Sequence, residues 1–146
     1  METQSETEVE VSVVIPAYNM GEYVEEAIQS VLNGEFEEVG ILIIDDGSTD
    51  NTRTMIEKYT DPSSTLHDPR VQYEYQENRG KSAAVNRGFE MAQGEYVTML
   101  DADDQLPPKS LEIRYKARLD ENGNSCDVIV GGFEVFDHSG THGKRS

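Results

Sequence analysis

The 146-residue chain has one cysteine, Cys126, no tryptophan and only five lysines. A lone cysteine excludes an internal disulfide and suits a reducing compartment. Long apolar runs are missing as well. The longest, Ile41–Ile44, falls far short of the ~20 residues of a membrane-spanning helix. Basic charge is scarce, with 12 Lys and Arg against 29 Asp and Glu and a formal net charge of −17. Such a surface disfavours attraction to nucleic-acid phosphate. It suits either an ordinary acidic protein or one kept soluble in concentrated salt, where ions screen self-repulsion. The first ten residues carry Glu2, Glu6, Glu8 and Glu10 and no Lys or Arg, the reverse of a secretory or mitochondrial leader. The expected location is the cytoplasm, or the cytoplasmic face of a membrane reached through a partner or a further region.

Signature motifs of several enzyme classes are absent too. No G-x-G-x-x-G follows the first apolar run and no G-x-x-x-x-G-K-[ST] occurs, which argues against dinucleotide oxidoreductases and P-loop enzymes. There is no G-x-S-x-G elbow. His67 lies in a Pro/Ser loop, and His138 and His142 flank Gly140 in a polar stretch, so all three read as solvated.

What is present is an alternation of short apolar runs with helical patterns. The length suits one domain, expected over 11–137 between a flexible acidic stretch at 1–10 and a polar tail at 138–146. Val11–Ile15 reads as a β-branched strand ended by Pro16. Asn19 and Glu22 have the spacing of a helix-capping pair, and Val24, Ala27, Ile28, Val31 and Leu32 fall on one helical face. Ile41–Ile44 is uniformly apolar, as a central parallel strand should be. Further strands are expected at Val71–Tyr75, nearer the sheet edge, at Tyr96–Leu100, at Val128–Val130 and at Phe133–Phe136. Helices are expected after Asp45–Ser48, from Lys81 to Ala92, and around Leu111, Tyr115 and Leu119. Alternating β and α units imply a mostly parallel sheet with helices on both faces, and ligands bind such sheets at the carboxyl ends of the strands.

Those ends carry the unusual residues. Asp101, Asp103 and Asp104 crowd one of them. Their carboxylates suit Mg²⁺ or Mn²⁺, or form an exposed acidic turn. Asp45 and Asp46 either cap the next helix through an Asx turn or accept hydrogen bonds from a ligand. Tyr18 either stacks on a planar base or simply packs. Arg79 and Lys81, at a helix start, suit phosphate or balance the nearby acid.

In order and together, VSVVIPAYNMGEYVEEAIQSVL, ILIIDDGSTDNT, QENRGKSAAVNRGFEMAQGEYV and LDADDQLPP resemble the family 2 glycosyltransferases. These enzymes have the Rossmann-like GT-A fold that binds nucleotide-diphospho-sugars. The resemblance covers Val11 to about Leu111. It implies a UDP- or GDP-type sugar donor. Pro16, Ala17 and Tyr18 would line the base pocket, Asp46 would bond the base and Asp45 would support its turn. Asn78 and Lys81 would lie near the nucleotide and its phosphates. Asp101-Ala102-Asp103 matches the Asp-x-Asp motif assigned to the metal, its second carboxylate the ligand and its first near the ribose. Transfer to an acceptor hydroxyl would proceed with inversion. The chain departs from the family at Ala84-Val85-Asn86, where many members have Ala-Arg-Asn. Glu134 and Asp137 do not match the family's base motif, so the base and the acceptor half are expected beyond residue 146 and the fold is expected to be incomplete there. Self-association or a partner chain would then cover the apolar faces of Val128–Val130 and Phe133–Phe136.

Two other classes are compatible with the acidic strand ends. One is a nucleotide-binding module without catalysis. The other is an Asp-lined, Mg²⁺-dependent receiver or phosphohydrolase-like domain, which needs a late-strand lysine that Val128–Val130 does not supply.

Overall fold

Four strands and three helices follow one another as the β-branched runs and helical faces require. They are β1 (Val11–Ala17), α1 (Val24–Leu32), β2 (Val39–Asp46), α2 (Thr52–Thr60), β3 (Val71–Gln76), α3 (Lys81–Met91) and β4 (Tyr96–Met99). After them come α4 (Ser110–Lys116), β5 (Phe133–Phe136) and β6 (His142–Arg145). The structure, a computed structural model, describes residues 9–119, 121–124, 133–136 and 142–145. The strand expected at Val128–Val130 lies outside them, as does the domain end expected at 137. The described residues divide after Leu111 into two compact units.

In the first unit the strand order is β3-β2-β1-β4, and every pairing is parallel. Right-handed crossovers place α1 and α2 on one face and send α3 across the other. Val14, Leu42, Ile44 and Ala84 form the core beneath α3. Strand alternation turns Val13, Ile15, Ile41 and Ile43 to the opposite face, where Val24, Ala27, Ile28, Val31, Ile56 and Tyr59 are buried with them. β2 is flanked by strands on both sides, which explains its unbroken burial from Ile41 to Asp46. β3 is buried only at its ends, Val71 and Gln76, and sits at the sheet edge, as its polarity predicts.

Pro16 does not end the first strand. β1 pairs with β2 through Pro16 and Ala17, while its pairing with β4 stops at Val14 and Met99. The Val14 carbonyl accepts the Leu100 N–H at 2.9 Å, so Val14 aims its backbone groups at β4, and Pro16, two residues on, aims the same way. Its missing N–H therefore falls beyond the paired part of β4 and costs no ladder bond. β1 and β4 part at this point.

Glu10, read as flexible, donates its N–H to the Glu38 carbonyl at 2.8 Å and accepts from Tyr96 N–H at 3.0 Å. In the second unit β5 and β6 pair antiparallel, Phe133 opposite Arg145 and Phe136 opposite His142. Part of the stretch read as a polar tail is thus a strand.

Candidate functional site

The chain leaves β1 for β2 and β3 on one side and returns to β4 on the other. Such a reversal opens a crevice at the carboxyl ends of the two strands, the usual ligand position in doubly wound sheets. Pro16 and Ala17 lie buried at the end of β1. Tyr18 follows and is 47% exposed.

Asp45 and Asp46 end β2 and, being adjacent, point to opposite faces. Asp45 Oδ1 accepts the Ser48 N–H at 2.9 Å, closing the turn, and its other oxygen accepts the Tyr73 hydroxyl. Burial, reinforced by that bond to Asp45, raises the Tyr73 pKa far above the ordinary tyrosine value, so the hydroxyl stays a donor. Asp46 faces the α3 side. Its Oδ1 accepts from Gln76 Nε2 and from the Arg79 N–H, both at 2.8 Å, and its Oδ2 accepts the Gly80 N–H at 3.0 Å. Its own carbonyl accepts Asn78 Nδ2 at 3.0 Å. Gly47, at φ +80, allows this approach, since a Cβ there would lie 2.8 Å from the Asn78 nitrogen.

The β1–α1 loop is stitched to the β2–α2 loop. Asn19 adopts the left-handed conformation at φ 52, open to asparagine. Its Oδ1 accepts the Thr49 N–H at 2.7 Å, and its own N–H donates to Ser48 Oγ at 2.9 Å. The Gly21 N–H donates to Asp50 Oδ2 at 3.0 Å. This overturns the expected capping pair of Asn19 and Glu22. The asparagine oxygen serves the neighbouring loop, and α1 starts only at Val24 with no side-chain cap.

At the end of β4, Ala102 is buried while Asp103 and Asp104 are exposed and Asp101 is half-buried. The Asp104 N–H donates to the Asp101 carbonyl at 2.9 Å. This turn brings one carboxylate oxygen each from Asp101, Asp103 and Asp104 within 4.8 Å of one another. Lys81, the first residue of α3, sets its ammonium against Asp101 Oδ1 at 2.5 Å. Although Asp104 is exposed, partial desolvation of its carboxyl, then the charges of Asp103 and Asp101, raise its pKa above the ordinary value, with Lys81 offsetting part of the effect. Hard oxygen donors that repel one another match the needs of Mg²⁺ or Mn²⁺, so the residues present fit such an ion.

The structure thus joins Asp46 to the 78–80 loop, Asp45 to Ser48 and Tyr73, and Lys81 to Asp101. Arg79 enters this network through its backbone N–H. Sequence reasoning missed Gln76 and Tyr73. Gln76 stands opposite Asp46 in register, and Tyr73 is paired with Ile43, one step diagonally from Asp45 on the same face. Polar residues at such offsets on neighbouring strands were the available signal.

A parallel sheet that reverses beside β1, with acidic and basic groups gathered at the reversal, defines a doubly wound α/β protein. The chain matches the description Glycosyl transferase family 2 over residues 12–145 and belongs to that family. It is 34% identical over 130 residues to the glycosyltransferase GlyG of Streptococcus pneumoniae, covering 88% of this chain and 40% of that protein. To GlyA of the same organism it is 30% identical over 129 residues, covering 88% of this chain and 17% of GlyA. The chain therefore spans less than half the length of these relatives. Among solved structures it is similar to S. aureus TarS 1-349 in complex with UDP-GlcNAc, with TM-score 0.63, 27% identity, 73% of this chain covered and 30% of that one. It is also similar to the mannosyltransferase PcManGT from Pyrobaculum calidifontis in complex with GDP-Man and Mn²⁺, with TM-score 0.67, 25% identity and coverages of 78% and 33%. The expected GT-A fold and family are borne out. Among the described residues no helix is long and apolar enough to cross a membrane.

Proposed function

We propose that this chain carries the donor-binding half of an inverting, metal-dependent glycosyltransferase that uses a UDP- or GDP-linked sugar. The observation that carries the reading is the grouping of Asp101, Asp103 and Asp104 with Lys81 at the crevice beside β1. Pro16, Ala17 and Tyr18 form the wall for the base, Asp101 lies on the ribose side, and Asn78 and Lys81 lie on the phosphate side. Asp101 and Asp103 would hold Mn²⁺ or Mg²⁺, with Asp104 beside them. When bound, a divalent ion neutralises charge on a departing diphosphate. Lys81 adds a positive charge for the same phosphates.

In the transfer itself the acceptor hydroxyl oxygen forms a bond to the anomeric carbon as the bond from that carbon to the diphosphate oxygen breaks. The electron pair leaves with the nucleoside diphosphate, and the hydroxyl proton passes to a general base within about 2.6–3.2 Å. We assign that base to a part of the protein outside these residues. The similarity to proteins solved with UDP-GlcNAc and GDP-Man supports both donor types equally.

Thermal unfolding of the 146-residue chain with UDP, GDP or ADP, each with and without Mn²⁺, tests the reading. Ligand that binds only the folded state raises the Tm. The expected result is a Mn²⁺-enhanced rise with UDP or GDP that exceeds the rise with ADP. An unchanged Tm with all three would overturn it.

A further inference from the structure

The geometry assigns Asp46 a positioning role: through the backbone of Arg79 and Gly80 it sets Lys81 on the phosphate side of the donor, and it does not bond the base. This rests on the donor-binding reading above and departs from the role that the family resemblance implies for this residue. Asp46 is 3% exposed, and three of its acceptor positions are filled from within the chain, by Gln76, Arg79 and Gly80. Among the described residues no buried side-chain nitrogen or oxygen lacks a hydrogen-bond partner, so both Asp46 oxygens are already engaged within the chain.

What the network does fix is the loop. Two consecutive amides donate to one carboxylate, and such charge-assisted bonds are short and strong. The second belongs to Gly80, which sits at φ +96 and ψ 161, a backbone state essentially restricted to glycine. The next residue is Lys81, which opens α3 and meets Asp101. Asn78 secures the front of the loop on the Asp46 carbonyl, and Gln76 holds the carboxylate from the adjacent strand. The place of the ammonium is therefore set from a buried carboxylate on β2 and not by Lys81's own exposed side chain.

The test is calorimetric binding of UDP or GDP, whichever the parent chain binds, beside the matching free nucleoside. The variants are Asp46→Asn, Gly80→Ala, Lys81→Met and the two doubles with Lys81→Met. Asp46→Asn opposes an amide N–H to the Gly80 N–H. Gly80→Ala meets no atom within 4 Å, so it strains the loop without touching Asp46 and serves if Asp46→Asn does not fold. Each is expected to weaken the diphosphate by about tenfold, a single charge-assisted contact, and to leave the nucleoside unchanged. In the Lys81→Met background neither should weaken it further. A matching loss for the nucleoside would make Asp46 a base ligand, and additive losses would separate it from Lys81; either result overturns the inference while the donor reading stands. A parent that binds neither nucleotide would overturn the donor reading and this inference with it.

Discussion

At Asp101 one ammonium, that of Lys81, faces three carboxylates gathered within 4.8 Å. In the donor reading that ion pair opens when donor arrives, because phosphate and metal present each partner with a stronger opposite charge. Lys81→Met removes both a competitor for Asp101 and a positive charge beside the cluster. Mn²⁺ alone should then bind more tightly than to the parent, and the nucleoside diphosphate more weakly. Both groups are substantially exposed, so the change in metal affinity should be modest and should shrink as salt rises. Titration of free Mn²⁺ by electron paramagnetic resonance reads the first effect, and weaker Mn²⁺ binding in the variant would contradict it. Much of this site was legible at the residue scale, because aspartates at strand ends stand out in any sequence. The partners of those aspartates were not. The role of Asp46 depends on Gln76 and the Arg79 and Gly80 amides, 30 or more residues away, and only sheet register brings them together.

α3 lies close on the sheet because Gly88 faces it. A Cβ at that position would come within 2.3 Å of Val14 Cγ1 and 3.3 Å of Ile44 Cγ1. Gly88→Ala should therefore lose about 1–3 kcal/mol by overpacking, even though alanine favours helix, and urea unfolding would show it; a stabilised variant would mean α3 is free to lift. The loops at the other face respond to acid. Burial raises the Asp50 pKa, but hydrogen bonds from Thr52 and Gly21 outweigh it and leave the pKa below the ordinary value. A carboxylate lowered in the folded state stabilises fully above the ordinary value of 3.8 and loses that contribution as pH falls through the lower folded value. The stability gap between the parent and Asp50→Asn should therefore be widest near neutral pH and close as pH falls below about 4. A gap that is constant with pH would show that Asp50 does not act through its charge. Helices and strands were legible here to within a few residues, because burial periodicity is local. The start of α1 was not, since Asn19 is spent on Thr49 and Ser48 in another loop. Nor was the end of β1, where Pro16 is tolerated only because β4 has already ended its pairing.

The chain spans 40% of GlyG and 17% of GlyA, and in the donor reading its site gathers donor and metal groups. Asp45 and Asp46 are engaged in holding loops, and Asp101 and Asp103 are assigned to donor and metal. Asp104 is the remaining carboxylate of the cluster, and its pKa is raised first by desolvation and then by the charges of Asp103 and Asp101. The 146 residues are therefore expected to bind nucleotide without transferring sugar to any acceptor at a useful rate. Robust transfer by this chain would contradict that and make Asp104 the first residue to mutate. The central claim is that a nucleoside diphosphate and a divalent ion meet at the β1–β4 crevice. The most direct test is calorimetric titration of UDP and GDP into the parent and Asp103→Ala, each with and without Mn²⁺. The account predicts that Mn²⁺ strengthens binding of at least one nucleotide to the parent and has no effect on the variant, whose fold is intact by circular dichroism. Equal Mn²⁺ dependence in the two proteins would contradict it.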